Sequence, residues 1–352
     1  MQDEYITVGV MSGSSLDGLD IVAVRFYKTN KWNFEILDGD TYPYTLSWRQ
    51  KLMTAHQLGA FEFLLLHKEY GKFIGEMVNN FLEDFGYDVD LIASHGHTIF
   101  HQPEKGITFQ IGDGYSIAAL TRKTVVSDFR SMDVALGGQG APLVPIGDML
   151  LFEEYDYCIN LGGFANISFN QAGKRYAFDI CPVNTVINYY SNILNLEFDR
   201  DGKIGNSGNL NTELLHRLNN ILYYNSVSPK SLGIEWVMKE FIPIVESYNI
   251  PIEDKMRTLY EHIAVQISLS TTFKKDCMIL ITGGGAYNTF LIKLIRKRIN
   301  HSIFIPDEQI VDFKEAMIFA FLGVLRSRNE YNCMASVTGA RTDCICGLTH
   351  RT

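Results

Sequence analysis

Three short turns rich in glycine and small polar residues stand where strands end, and such turns let a backbone approach a phosphate. The first is Met11-Ser12-Gly13-Ser14-Ser15-Leu16-Asp17-Gly18-Leu19-Asp20, the second Asn160-Leu161-Gly162-Gly163-Phe164-Ala165-Asn166, the third Thr282-Gly283-Gly284-Gly285-Ala286-Tyr287-Asn288. Phosphate oxygens need close N–H donors, which only small residues leave accessible. In the first turn Ser14 and Ser15 add hydroxyls, and Asp17 and Asp20 add carboxylates suited to a divalent cation. The same residues also make an ordinary hairpin, since Asp-Gly is a favoured turn pair. The third turn lacks the lysine and hydroxyl of a P-loop and does not match GxGxxG. Its place between a strand and a helix still suits an anion. Three such turns together favour a nucleotide more than any one does.

Other side chains could act on a substrate. Asp179 ends a strand and precedes Cys181-Pro182-Val183-Asn184. A carboxylate there serves as a general base or as a turn residue, and Asn184 can cap the following helix. His95, His97 and His101 lack a carboxylate or cysteine at metal-ligand spacing, so hydrogen bonding to a polar ligand is the better reading. Arg130, in Asp128-Phe129-Arg130, is suited to phosphate or sugar oxygens. Glu315 is either a helix-start carboxylate or a ligand contact.

The elements that must position these groups occur twice. Tyr5 to Met11, Ile21 to Tyr27 and Asn33 to Thr41 read as three strands around the first turn. A helix is expected from Phe61 to Phe85, with Phe61, Leu64, Leu65, His67, Phe73 and Met77 on its buried face. Leu91 to Ser94 reads as a further strand. Tyr157 to Leu161, Ala165 to Phe169 and Arg175 to Asp179 then repeat the strand, glycine turn, strand, strand order. Helices are expected over 185–194, 211–222, 234–248 and 253–273. The strand Met278 to Thr282 and the helix Thr289 to Arg298 follow. This is a duplicated α/β fold, with its natural ligand site in the cleft between halves. The expected domains are residues 1–128 with about 340–352, and 129–339, the boundary marked by Gly137-Gly138-Gln139-Gly140.

Composition removes other classes. The 352 residues carry a net charge of −9 without a dense basic run, so neither nucleic acid nor an anionic membrane is an expected partner. The longest apolar run, Ala316 to Leu325, is about half a membrane span. The acidic start Met1-Gln2-Asp3-Glu4 is unlike a secretory signal, which suggests the cytoplasm. Six scattered cysteines without a CxxC pair read as buried or indifferent thiols.

In order along residues 5–347, these segments resemble the anhydro-N-acetylmuramic acid kinases. The resemblance is carried by Gly9 to Gly18, Ser94-His95-Gly96-His97-Thr98, Gln110-Ile111-Gly112-Asp113 and Asp128-Phe129-Arg130. It continues through Gly137 to Pro145, Asn160 to Ile167, Pro229-Lys230-Ser231-Leu232-Gly233, Gly283 to Asn288, Glu315-Ala316-Met317 and Val337-Thr338-Gly339-Ala340. It implies two ribonuclease H-like domains of the actin-like ATPase and sugar kinase fold, with ATP in a central cleft. It also implies an ATP- and Mg²⁺-dependent reaction on an anhydro amino sugar, whose ring is opened by water while O6 is phosphorylated.

On that resemblance, Gly13 to Asp20 and Gly162-Gly163 flank the phosphates, and Gly283, Gly284 and Gly285 meet the adenosine side. Asp17 holds the metal directly or through water, Asp179 is the base, and His97, Arg130 and Glu315 touch the sugar. A homodimer is compatible with it. One departure stands out: where such kinases read Asp-x-Gly-Pro-Gly-Asn, this chain has Cys181 and Val183 in place of the two glycines. Added bulk beside the base leaves two rivals open. One is a kinase of the same fold for another small sugar or carboxylate. The other is a nucleotide- or sugar-binding protein with little turnover.

Overall fold

The computed structural model describes residues 3–13, 16–226, 228 and 230–352; Ser14 and Ser15 of the first turn lie outside these. The chain forms two compact units, Met1–Leu151 with Phe313–Thr352, and Phe152–Asp312. The expected boundaries lay elsewhere, at 128/129 and near 340. Residues 129–151 and 313–339 fall in the first unit because they pack there: a Cβ on Gly147 would come within 2.6 Å of Ile318, and one on Gly9 within 2.1 Å of the Ala316 carbonyl.

In the first unit, β1 (Glu4–Met11), β2 (Gly18–Lys28) and β3 (Trp32–Pro43) form an antiparallel meander. Then β4 (Leu91–Ser94) pairs parallel with β1, and β5 (His97–Gln102) and β6 (Ile107–Ile111) make a separate hairpin. The strand β7 (Thr124–Ser127) lies parallel beside β4. One sheet face buries Val8, Val10, Ile21, Ala23, Ile92 and Val125 against the helix Ala60–Phe81. That helix turns Leu66, Tyr70, Ile74, Val78 and Phe81 inward, whereas Phe61, Leu64 and Leu65, expected inside, are exposed. The aromatic residues near its start obscured the period, since two phases of the helix are apolar there. The helix Glu308–Ser327 covers the other face, where Gly9 and Gly323 let it approach β1 and β4.

The second unit repeats the plan. Here β8 (Tyr157–Leu161), β9 (Phe164–Gln171) and β10 (Lys174–Pro182) form the meander, and β11 (Met278–Thr282) and β12 (Ser302–Phe304) add in parallel. Its order, β10-β9-β8-β11-β12, matches β3-β2-β1-β4-β7 of the first unit strand for strand. This is the duplicated α/β arrangement that the element order predicts, in the ribonuclease H-like form that the resemblance implies. The first sheet is extended by β13 (Leu348–His350), antiparallel to β7. The helix Ile252–Ser270 is buried along most of its length in the second core, through Met256, Leu259, Tyr260, Ile263 and Ile267.

Candidate active site

In the second unit, two of the three glycine turns meet. Strands β8 and β11 run parallel with Asn160 beside Thr282, so the turns that follow them leave the same sheet edge as neighbours. Gly283 has φ +80°, and a Cβ there would sit 2.5 Å from Asn160 Oδ1; one on Gly285 would sit 2.7 Å from Leu161 Cβ. Both positions therefore require glycine. Gly284 differs, because its nearest neighbour is Asn184 Nδ2 at 3.8 Å, which leaves its face open.

The Gly162-Gly163 turn is tied to the helix Asn184–Ile193. The Gly163 carbonyl accepts the N–H groups of Val183 and Thr185 at 2.8 and 3.2 Å, and the Gly162 carbonyl accepts that of Asn184 at 3.2 Å. These helix-start amides are thus occupied by the turn. The helix Thr289–Arg298 is likewise capped internally, Asn288 Oδ1 accepting the Leu291 N–H at 3.0 Å. A single 3₁₀ turn, Gly284–Tyr287, separates it from β11.

Asp179 lies at the far end of β10, where the pairing with β9 is broken by a bulge between Asp179 and Cys181. Bulges re-aim side chains. Asp179 Oδ2 accepts the Leu232 N–H at 2.8 Å, and the Asp179 carbonyl accepts the Tyr223 hydroxyl at 2.6 Å. Burial pushes the carboxyl up to about 6, and the Leu232 bond only partly offsets it. Lys230 crosses nearby, its Nζ donating to the Tyr223 and Tyr224 carbonyls at 3.3 and 3.4 Å and lying 5.3 Å from the Phe178 ring centroid. The side chains of Cys181 and Val183 are fully buried in the second core. Their bulk is therefore absorbed by packing. Tyr223, Lys230 and Leu232 were not among the expected site residues; the Pro229 to Gly233 motif was the signal that could have found Lys230 and Leu232, and Tyr223 lies outside it.

In the first unit, Gly18, Leu19 and Asp20 belong to β2, paired with Pro43, Tyr42 and Thr41, and Leu19 is buried in the core. The turn proper is therefore shorter than the run read from sequence. Leu16 has φ +59°, and Asp17 is exposed. Asp20 Oδ1 accepts the Thr41 hydroxyl at 2.7 Å.

The turn is anchored by Ser12, which is buried: its Oγ lies 2.9 Å from His97 Nδ1 and accepts the Tyr44 hydroxyl at 2.7 Å. The Tyr44 hydroxyl in turn lies 2.6 Å from that of Tyr70. Burial lowers His97 to about 4, so the ring is neutral at physiological pH. His97 thus supports the first turn directly.

Arg130 Nε donates to His95 Nε2 at 3.0 Å, and its Nη1 donates to the Gly140 carbonyl at 2.6 Å. Glu315 is solvent-accessible yet closely surrounded, which raises its carboxyl, while the Arg130 charge opposes the rise. His101 Nδ1 instead meets Thr108 Oγ1 at 3.1 Å. Among the described residues the structure brings no metal-ligand set to the histidines.

The sequence model of the anhydro-N-acetylmuramic acid kinases matches residues 5–351. The chain belongs to that family. By that membership it is a carbohydrate kinase. It is 34% identical to the anhydro-N-acetylmuramic acid kinase of Francisella tularensis subsp. novicida, over 99% of both chains. It is 32% identical to that of Vibrio vulnificus strain CMCP6, over 97% of this chain and 96% of the other. Among solved structures it is similar to a ROK family glucokinase from Streptomyces griseus in complex with glucose and AMPPNP, with 13% identity and a TM-score of 0.42 over 90% of this chain and 98% of that one. No helix of the described residues is long and apolar enough to cross a membrane.

Proposed function

We propose that this member of the family converts anhydro-N-acetylmuramic acid, ATP and water to N-acetylmuramic acid 6-phosphate and ADP in the cytoplasm. The observation that carries the reading is Asp179: a carboxylate at a strand-end bulge, held by one backbone N–H and poised near 6. A general base works best with a pKa near the operating pH, in its ionised form. Oδ2 is fixed by Leu232, and among the described residues Oδ1 has no hydrogen-bond donor. Oδ1 is then the atom that takes the proton from the water attacking the anomeric carbon, as the base of an inverting glycosidase does.

The chain's residues fit a magnesium nucleotide. Asp17 is an exposed carboxylate in a tight turn, suited to a hard cation directly or through water. Gly13 and Gly163 are assigned to the phosphates, whereas the Gly162 and Leu16 N–H groups already donate to the Phe164 and Gly13 carbonyls at 3.2 and 3.4 Å. The open face of Gly284 between Gly283 and Gly285 suits the adenosine side. Bound MgATP supplies the phosphoryl group and neutralises its charge. His97, Arg130 and Glu315 are assigned to the sugar, Arg130 and Glu315 offering opposite charges to its hydroxyl, amide and carboxylate groups. The test is direct. Incubation with ATP, Mg²⁺ and the anhydro sugar should give a 6-phosphate, and D179N should abolish it with ATP affinity kept. ADP release stimulated only by other acceptors would remove the substrate assignment and keep the kinase.

A further inference from the structure

Three of the six cysteines converge within the first unit. Cys333, Cys344 and Cys346 are free and buried, and their Sγ atoms all lie within 4.8 Å of one another. Cys344 Sγ and Cys346 Sγ are 3.4 Å apart. One C-terminal loop supplies all three. Cys333 and Cys344 face each other across an isolated antiparallel bridge, exchanging N–H···O bonds of 3.2 and 3.1 Å. Cys346, two residues on, returns to the same face. Asn332, itself buried, pins the loop: its Nδ2 donates to the Leu322 and Cys346 carbonyls at 3.0 and 2.9 Å, and its Oδ1 accepts the Cys346 N–H at 2.6 Å.

We propose that Cys333, Cys344 and Cys346 form a three-thiolate site for a thiophilic d¹⁰ cation, Zn²⁺ foremost. Soft thiolates select such ions. Tetrahedral zinc with bonds of about 2.3 Å places its sulfurs about 3.8 Å apart, so this triangle closes around an ion with small side-chain movements. Three S–H bonds break, three sulfur–metal bonds form, and three protons pass to solvent with no change of oxidation state. The fourth position is left for water.

The surroundings suit a site with one net negative charge. Cys333 Sγ lies 3.1 Å from Asp133 Oδ1, which can accept a hydrogen from that water once the thiol is deprotonated. The Arg130 guanidinium acts electrostatically on Asp133, Cys333 and Cys346 and balances the charge. Asp133 also accepts the Thr338 hydroxyl and the Gly140 N–H, each at 2.7 Å, and Gly140 seats Arg130. A bound ion would thus fasten the C-terminal loop, which has little regular structure, to the segment that holds Arg130.

The test uses Co²⁺ as the probe on the full chain, purified in reductant and stripped with chelator. We expect one Co²⁺ per chain with a thiolate-to-cobalt charge-transfer band, three protons released per ion, and a higher Tm with Zn²⁺. C344A and C346A should lose the band while C158A and C277A keep it. If the first two variants fail to fold, the proton count on the wild-type chain decides. Absence of the wild-type band, its survival in both variants, or a Cys333–Cys344 disulfide in the fresh protein would overturn the assignment.

Discussion

The Asp179 carboxylate accepts the Leu232 N–H at 2.8 Å, and this one bond is set against the burial of the group beside the β10 bulge. Burial prevails, and the group titrates at about 6. If Asp179 is the base, D179N should lower kcat by on the order of 10²–10⁴-fold, since an amide cannot take the proton. The amide oxygen still accepts from Leu232, so ATP affinity should be unchanged; single-turnover kinetics beside nucleotide titration checks both.

The same shift makes a stability prediction with a definite sign. The folded value, about 6, lies above the carboxylate's ordinary 3.8. The native state therefore binds the proton more tightly, and stability falls as pH rises between the two values. D179N should raise unfolding free energy at neutral pH by about 1–2 kcal/mol, and the gain should vanish below the ordinary carboxylate range. Denaturant melts across pH measure it. The activity profile should run oppositely, with kcat/KM rising through about pH 6 to a plateau.

His97 Nδ1 and Ser12 Oγ, 2.9 Å apart, tie the β5 hairpin to the residue that opens the first turn. H97A should cost about 1–3 kcal/mol by leaving a buried hydroxyl short of a partner. It should also raise the KM for ATP, because Ser12 precedes the turn. Glutamine at this position should restore much of both, as read by denaturation and initial rates.

Gly283 and Gly284 separate packing from ligand contact. G283A meets a positive φ and an atom at 2.5 Å, so it should destabilise the fold by about 1–3 kcal/mol. G284A has its nearest neighbour at 3.8 Å and should leave the melting curve nearly unmoved while weakening ATP binding. Unchanged ATP affinity in G284A would remove this turn from the nucleotide site.

Much of this fold is legible in the sequence because strand composition and turn chemistry agree. Tyr157–Leu161 and Met278–Thr282 are strands at their expected bounds, each ending in glycines. The helix Thr289–Arg298 also matches, with Asn288 as its cap. Phe61, Leu64 and Leu65 misled, because these apolar side chains lie on the exposed face of the helix. The unit boundaries were hidden for another reason: Gly147 and Gly9 reveal contacts with Ile318 and Ala316 only once the chain is folded. The site divides similarly. Asp179 and the turns were readable as residue types, but Leu232 acts through a backbone N–H that no side chain advertises. From the sequence, Cys181 and Val183 add bulk beside Asp179; only burial shows that this bulk goes into the core.

In the proposed mechanism water opens the sugar ring while O6 is phosphorylated, with Asp179 as base. Turnover of anhydro-N-acetylmuramic acid with ATP and Mg²⁺ in heavy-oxygen water tests it most directly, read by mass spectrometry. A 6-phosphate carrying one solvent oxygen at the anomeric carbon is expected, and no such product from D179N. A phosphorylated sugar with its anhydro ring intact, or undiminished turnover by D179N, would contradict it.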